Sequence, residues 1–356
     1  MAEGFVRRGH EVTVLTSRYQ SELLPQEVHH GVRILRLPVL TRLSRGVIMP
    51  RFPWAAWRLI RQHDVVQMHT PIFEAPLITA LGRLAGKPTV FTHHGDLVMP
   101  NSPCEQFVEW AVTALMRQAL KSCTHITVHS RDYAEHSDFL WPFHEKLSCI
   151  YPPVEIPHPD PEAAQAWRRE LGLEGKKLVG FAGRFVEEKG FDYLLQAIPL
   201  VRREVPEAMF LYAGERFVVY ERFYQKWAHL VEANEEAIRI MGLIRDRQRL
   251  ADFLAMCDLF ALPSRTDCFP SVQIEAMLCG TPVVCTDIPG ARGAVRATGM
   301  GRLVPPHNPQ ALAQGIVELL RDPSPYLRTR EQIREVFNTE HSLLEYEALL
   351  KRLTGD

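Results

Sequence analysis

The sequence has no cysteines in CxxC spacing, and its seven cysteines are an odd number. A disulfide framework is therefore not the reading; buried, reduced thiols in a cytoplasmic protein are expected. No apolar run approaches the ~18 uninterrupted residues of a spanning helix. The first ten residues, MAEGFVRRGH, lack the apolar core of a signal peptide. Net charge is nearly absent, at -1 over 356 residues. A general nucleic-acid binder carries a basic excess, so no nucleic-acid partner is expected. HExxH, Asp-x-Asp, GxSxG, GxGxxG and the Walker loop are all missing. These absences disfavour transfer through an Asp-x-Asp magnesium site and weaken a dehydrogenase reading. The histidines and acids form no convincing metal set, and neither a metal nor a cofactor is expected.

What is present is alternation of short β-rich runs and helical patterns. Glu11–Ser17, Gly31–Pro38, Asp64–His69, Pro88–His93 and Thr124–His129 read as strands, with helical stretches at Ala75–Ala85 and Cys104–Lys121. The pattern restarts after Pro152, with strands at Leu178–Ala182, Met209–Tyr212, Ile238–Met241, Leu259–Leu262 and Pro282–Cys285. Phe191–Val205 and Leu250–Met256 read as helices. Such spacing implies parallel α/β sheets, here two Rossmann-like domains with ligands at the carboxyl ends of strands. Tyr151–Pro161, with five prolines in eleven residues, reads as a stiff linker. The expected division is 1–155, 156–337, and a C-terminal helical segment 338–356 packing back toward the first domain. Met1–Gly9 reads as the end of a helix. A doubly wound domain begins with a strand and a Gly-rich turn, so the N-terminal domain is expected to be incomplete.

The most informative stretch is Leu262–Gly280, LPSRTDCFPSVQIEAMLCG. Asp267 and Glu275 stand eight positions apart across a turn and a helix start. Pro270 suits the first helical turn, and Gly280 with Pro282 ends the helix. The free N–H groups of that helix open beside Asp267 as an anion site. Carboxylates flanking an anion site suit a ligand with phosphates at its centre and polyols at its ends. In FAGRFVEEKG, Arg184 and Lys189 follow a strand and can clamp a diphosphate. A solvated surface lysine is the plainer reading of Lys189 taken alone. Gly242, in MGLI, allows close backbone approach to a flat base, and is equally an ordinary turn glycine.

In the first half, FTHHGD places His94 at a strand's carboxyl end. There it can donate to a leaving phosphate or a sugar hydroxyl. His69, in QMHTP, is a weaker candidate, and His129 reads as locally packed. Thr41–Arg61 interleaves Arg42, Arg45, Arg51, Arg58 and Arg61 with Ile48, Phe52, Trp54 and Trp57. This pattern fits either docking on an anionic membrane or an ordinary amphipathic helix with an acceptor-side loop.

These motifs together resemble glycosyltransferase family 4, retaining enzymes of the two-Rossmann GT-B fold. The resemblance runs over nearly the whole chain, through RGHEVTVLTS (Arg8–Ser17), DVVQMHTP (Asp64–Pro71), GRFVEEKG (Gly183–Gly190) and LPSRTDCFPSVQIEAMLCGTPVV (Leu262–Val284). It implies an α/β chain whose two Rossmann-like domains face a cleft. It implies that Gly183, Arg184 and Lys189 hold the donor diphosphate and that Glu275 contacts the ribose. Asp267 would contact the transferred sugar. Cys268, Phe269 and Pro270, with the helix opening at Ser271 and Val272, would supply backbone contacts. The backbone of Gly242, Leu243 and Ile244 would border the base, and His94 matches the acceptor-domain histidine near the reaction centre. Asp267 stands where the family has Glu, and Cys268 where it has Gly. The family's opening strand and Gly-rich loop would precede Met1.

The activity so implied is metal-independent, retaining transfer from a nucleotide diphosphate sugar, a co-substrate rather than a cofactor. The acceptor would be a hydroxyl of a glycan or a lipid-linked molecule. A cytoplasmic location, with peripheral contact at the inner face of a membrane, accompanies that reading. The alternatives are a nucleotide-sugar epimerase of the same fold and a non-catalytic nucleotide-sugar-binding remnant.

Overall fold

The computed structural model describes residues 1–43, 46–99, 103–218 and 221–355. Arg45 of the basic-aromatic stretch lies outside them. The chain divides into two compact units, Met1–Pro153 with Glu340–Asp356, and Val154–Thr339.

The first unit carries β1 (Thr13–Arg18), β2 (Gln26–His29), β3 (Val32–Pro38), β4 (Thr41–Leu43), β5 (Gly46–Ile48), β6 (Val66–Thr70), β7 (Thr89–His93), β8 (His125–Val128) and β9 (Leu147–Cys149). Strands β6-β7-β8-β9 form a parallel sheet in that order. Helices Ala75–Leu84 and Pro103–Ser122 make two of its crossovers. Every residue of β7 is buried, as befits an inner parallel strand covered on both faces. Strand β1 pairs with β3 in parallel, and β2 closes on β3 as a hairpin. That hairpin turns on His30 and Gly31, with φ of 47° and 82°. Two positive φ values match the right-handed twist of the flanking strands. The helix Thr339–Thr354 buries Leu343, Tyr346 and Leu349 against Phe5 and Ile150. Beside this contact Glu347 accepts from Arg8 Nε at 2.7 Å and meets Lys351 Nζ at 3.0 Å and His10 Nε2 at 3.1 Å.

The second unit carries β10 (Lys177–Ala182), β11 (Ala208–Ala213), β12 (Ile238–Gly242), β13 (Leu259–Leu262), β14 (Val283–Thr286) and β15 (Gly301–Val304). They form one parallel sheet in the order β12-β11-β10-β13-β14-β15. The two-residue period of each strand builds two separate cores. Leu178, Met209, Leu211, Phe260 and Leu262 pack on one face. Val179, Phe181, Phe210, Tyr212, Leu259 and Ala261 pack on the other. The order reverses direction between β10 and β13. Loops leaving the carboxyl ends of strands at such a switch point diverge and leave room for a ligand. Among these loops are Gly183–Gly190 and Pro263–Pro270, and both candidate segments are therefore placed by topology.

Candidate active site

The loop after β10 passes through a turn at Glu187–Lys189 and enters the helix Phe191–Glu204 through Gly190. Gly190 has φ 63°, and a Cβ there would lie 2.0 Å from the Pro263 carbonyl oxygen. Glycine thus lets this loop lie directly against the one after β13. Arg265 fastens the two together. Its guanidinium makes a two-pronged pair with Asp192 at 2.7 Å on both oxygens, donates to the Glu187 carbonyl at 2.6 Å, and stacks 4.2 Å from the Tyr193 ring centroid. Its backbone N–H donates to the Glu188 carbonyl at 2.8 Å. Burial opposes the charge of Arg265, but the hydrogen bonds and charge of Asp192 outweigh it and raise its pKa.

On this frame Lys189 Nζ donates to Asp267 Oδ2 at 2.6 Å. Ser264 Oγ lies 3.5 Å from the same oxygen. Arg184, from the same loop as Lys189, pairs with Glu188 Oε1 at 3.0 Å and is half exposed. The fold therefore joins Lys189 to Asp267 and leaves Arg184 with its own neighbour.

Glu275 lies in the helix Ser271–Leu278, which is buried over Gln273–Leu278. Pro270 is its N-cap residue rather than part of the first turn, since its ψ of 101° is extended. The first N–H groups of the helix then belong to Ser271 and Val272. Glu275 Oε1 accepts from Arg247 Nη1 at 3.0 Å. Arg247 follows the N-cap Asp246, whose carboxylate accepts from the Arg249 N–H at 2.7 Å. The Cys268 and Phe269 side chains are buried, and Phe269 packs edge-on to Phe337. Any contribution of these two to a ligand runs through their backbone.

Beyond β10 and β12, Gly183 and Gly242 are joined by a third glycine. Gly183 N–H donates to the Ala213 carbonyl at 2.9 Å, and Gly214 N–H donates to the Gly242 carbonyl at 2.8 Å. A Cβ on Gly214 would lie 1.8 Å from the Gly183 carbonyl oxygen. The three strand ends thus form a floor with no side chains. Leu243 beyond it is exposed, and Ile244 packs against the core.

In the first unit His69, His94 and His129 gather at the carboxyl ends of β6, β7 and β8. His69 Nδ1 and His94 Nε2 are hydrogen-bonded at 2.7 Å, with the rings stacked at 22°. The pair is reachable from solvent yet largely surrounded by protein. Desolvation and the imidazoles of His69 and His93 push His94 down to about 4. Desolvation and His129 also lower His69. His129 is buried and donates Nδ1–H to the Ile150 carbonyl at 3.0 Å. Desolvation takes it to about 4 against the raising effect of that bond. His93, fully buried, meets Asp96 Oδ1 at 3.1 Å.

Four participants escape sequence reading: Arg247, Arg265, Gly214 and His69 as the partner of His94. Gly214, in LYAGE directly after a strand, carries the one usable signal, a glycine at a strand's carboxyl end. The two arginines sit in polar stretches that resemble any charged surface.

Of the basic-aromatic stretch, Phe52 is buried and Trp54 is 67% exposed. Arg58 and Arg61 lie over Trp54 and Trp57 at 5.9 and 5.7 Å, and Arg42 over Tyr19 at 4.2 Å. Among the described residues no helix is long and apolar enough to cross a membrane. Glu3, His29 and His30 form a group of metal-ligand type, exposed at the surface.

Residues 163–336 match the family described as Glycosyl transferases group 1, and residues 1–156 match Glycosyltransferase Family 4. The chain is 27% identical to a GDP-mannose-dependent alpha-(1-6)-phosphatidylinositol monomannoside mannosyltransferase of Mycolicibacterium smegmatis, covering 90% of this chain and 84% of that protein. It is 28% identical to a D-inositol 3-phosphate glycosyltransferase of Xylanimonas cellulosilytica, covering 90% and 82%. Sucrose-phosphate synthase from Thermosynechococcus elongatus superposes with a TM-score of 0.79 at 20% identity, over 99% of this chain and 92% of the other. Anabaena Alr3699/HepE in complex with UDP-glucose gives 0.74 at 20%, over 91% and 87%.

Proposed function

The chain belongs to glycosyltransferase family 4, with the GT-B fold, and transfers sugar from a nucleotide sugar; from that premise we propose that it is a retaining hexosyltransferase whose second unit holds the donor. The observation that carries this reading is the Lys189–Asp267 pair at the switch point of the sheet, 2.6 Å apart. It puts a phosphate-seeking cation and a hydroxyl-seeking acid side by side. Lys189 and Arg184 face the diphosphate, and the N–H groups at Ser271 and Val272 add the positive end of a helix dipole. Glu275 accepts from the ribose hydroxyls, Asp267 from a hydroxyl of the sugar, and the glycine floor leading to Ile244 lies under the base.

The acceptor oxygen bonds to the anomeric carbon on the face the diphosphate leaves, so configuration is kept. The bond to the leaving phosphate oxygen breaks with its electron pair, that oxygen takes the acceptor hydroxyl's proton, and the cations and helix N–H groups stabilise the diphosphate's charge. The diphosphate is held by the chain's own groups, without a metal or cofactor. A polyol or glycan hydroxyl, in part lipid-linked, is the acceptor class. The phosphatidylinositol monomannoside and inositol 3-phosphate in the relatives' names support it. Exposed Trp54 beside Arg58 supports peripheral contact with an anionic membrane at its cytoplasmic face.

The test is a thermal-shift and transfer screen against UDP-, GDP- and ADP-sugars, with myo-inositol and simple glycosides as acceptors. Stabilisation by a subset of these donors, and a product with the donor's anomeric configuration by NMR, are expected. An inverted product would overturn retention, and stabilisation by none of them would overturn the donor site. Liposome flotation without binding would retire the membrane contact.

A further inference from the structure

We infer that His69 is a positioning residue for His94, and that the two imidazoles act as one unit that reads a sugar or polyol hydroxyl rather than a phosphate. The inference deepens the proposed function and rests on the expectation from sequence that His94 takes part in transfer.

The argument begins with proton counting. A neutral imidazole has one N–H and one lone pair. The bond between His69 Nδ1 and His94 Nε2, 2.7 Å long, uses one of each. What remains is His69 Nε2 and His94 Nδ1, which have no protein partner among the described residues. One of them is a donor and the other an acceptor, whichever way the shared proton lies. If His94 Nε2–H donates, His94 Nδ1 is the acceptor and His69 Nε2–H the donor. If both rings take the other neutral tautomer, so that His69 Nδ1–H donates to His94 Nε2, the two roles exchange.

A hydroxyl also donates once and accepts, so it matches this pair in either state. An unprotonated phosphate oxygen, as in a phosphodiester, only accepts, and one outer nitrogen would always face it with a lone pair. Binding an anion would require the pair to gain a proton. The groups facing it oppose that gain: His93 and His129 add like charge or none, and Asp96 is engaged with His93. The lowered pKa of both rings agrees, since a pair neutral at pH 7 carries no charge for an anion.

The Nε2–H form is the commoner one of a free neutral imidazole, so the state with His94 Nδ1 as acceptor is favoured. In that state His94 can receive a hydrogen bond from an acceptor hydroxyl while the neighbouring N–H of His69 holds an adjacent oxygen. His69 matters through this arrangement: without it, His94 Nε2 faces water and its tautomer is free.

The experiment uses the full chain labelled with 15N-histidine. At pH 7 both rings are expected to be neutral, and His69→Phe is expected to change the tautomer signature of His94. Adding myo-inositol should shift both rings, and adding dimethyl phosphate, which carries no P–OH, should shift neither. In transfer assays with the donor found by the screen, His69→Phe should raise KM for myo-inositol about tenfold, the scale of one lost hydrogen bond. The KM for donor should stay unchanged. His69→Gln, which can both donate and accept, should recover part of the loss and serves if the Phe variant folds poorly. Dimethyl phosphate shifting the pair at pH 7, or His69→Phe leaving the His94 signature and acceptor KM untouched while His94→Phe impairs transfer, overturns the inference alone. Full transfer by His94→Phe overturns the placing of His94 itself.

Discussion

Lys189 Nζ lies 2.6 Å from Asp267 Oδ2, although the two residues are 78 positions apart in the chain. Their side chains are 23% and 11% exposed, so the pair is sheltered but reachable. Asp267 is one methylene shorter than glutamate, and the pair closes because Gly190 lets the two loops touch. In the proposed donor complex the diphosphate draws Lys189 away from Asp267 and frees the acid for a sugar hydroxyl.

Lys189→Ala should abolish donor use while the unit stays folded. Loss of one charge stabiliser of a leaving group costs about 100-fold or more in kcat. Steady-state kinetics with circular dichroism checks it; undiminished turnover in a folded variant would remove Lys189 from the mechanism.

Glu275→Ala should weaken nucleoside diphosphate binding about tenfold or more, as loss of hydrogen bonds to a charged acceptor does. Arg247 contacts the same carboxylate, so Arg247→Ala combined with Glu275→Ala should be non-additive. Calorimetric titration of the two single variants and the double variant decides it.

Arg265→Ala should destabilise the second unit by about 3 kcal/mol, because it strands the buried Asp192 carboxylate. Urea unfolding reads that loss. The same variant should lower donor use beyond the stability effect, since Arg265 holds the loop of Lys189 to that of Asp267. An Arg265→Ala, Asp192→Asn double variant should regain stability but not donor use.

Glu347 supplies a pH-dependent term to the first unit. Hydrogen bonds from Lys351 and Arg8, against a desolvation cost, hold its pKa at about 2, below the ordinary 4.5. A depressed carboxyl contributes stability that is complete above the ordinary value and is lost as pH falls toward the folded one. Thermal unfolding from about pH 6 to about pH 3 should show a steeper decline for the parent than for Glu347→Gln. Parallel curves would refute the role.

The strands of the second unit are legible because apolar runs such as LVGFA and DLFAL end at glycine or proline, and the switch point follows from their order. Strands without an apolar run are not legible: β9, LSC, has three residues, and β15, GRLV, opens on glycine and arginine, unlike the equally short LFAL and VVCT of β13 and β14. Strands β4 and β5 fall within a stretch whose charges mask any apolar period. Asp267, Glu275 and Lys189 stand out by spacing within a motif. Arg265 and Arg247 do not, because their roles depend on contacts with Asp192 and Glu275, 73 and 28 positions away. The His69–His94 bond likewise comes from β6–β7 register, which pairs His69 with Thr92 and Thr70 with His93.

The helix Thr339–Thr354 completes a core begun by Phe5 and Ile150, with all of Val154–Thr339 in between. On the ribosome the second unit is therefore whole before the first can be. The apolar patch of Phe5 and Ile150 must wait uncovered until that helix emerges. Chaperone dependence should accordingly fall on the first unit rather than the second. A protein lacking the helix Thr339–Thr354 would be lost to proteolysis in its first unit, with its second unit intact.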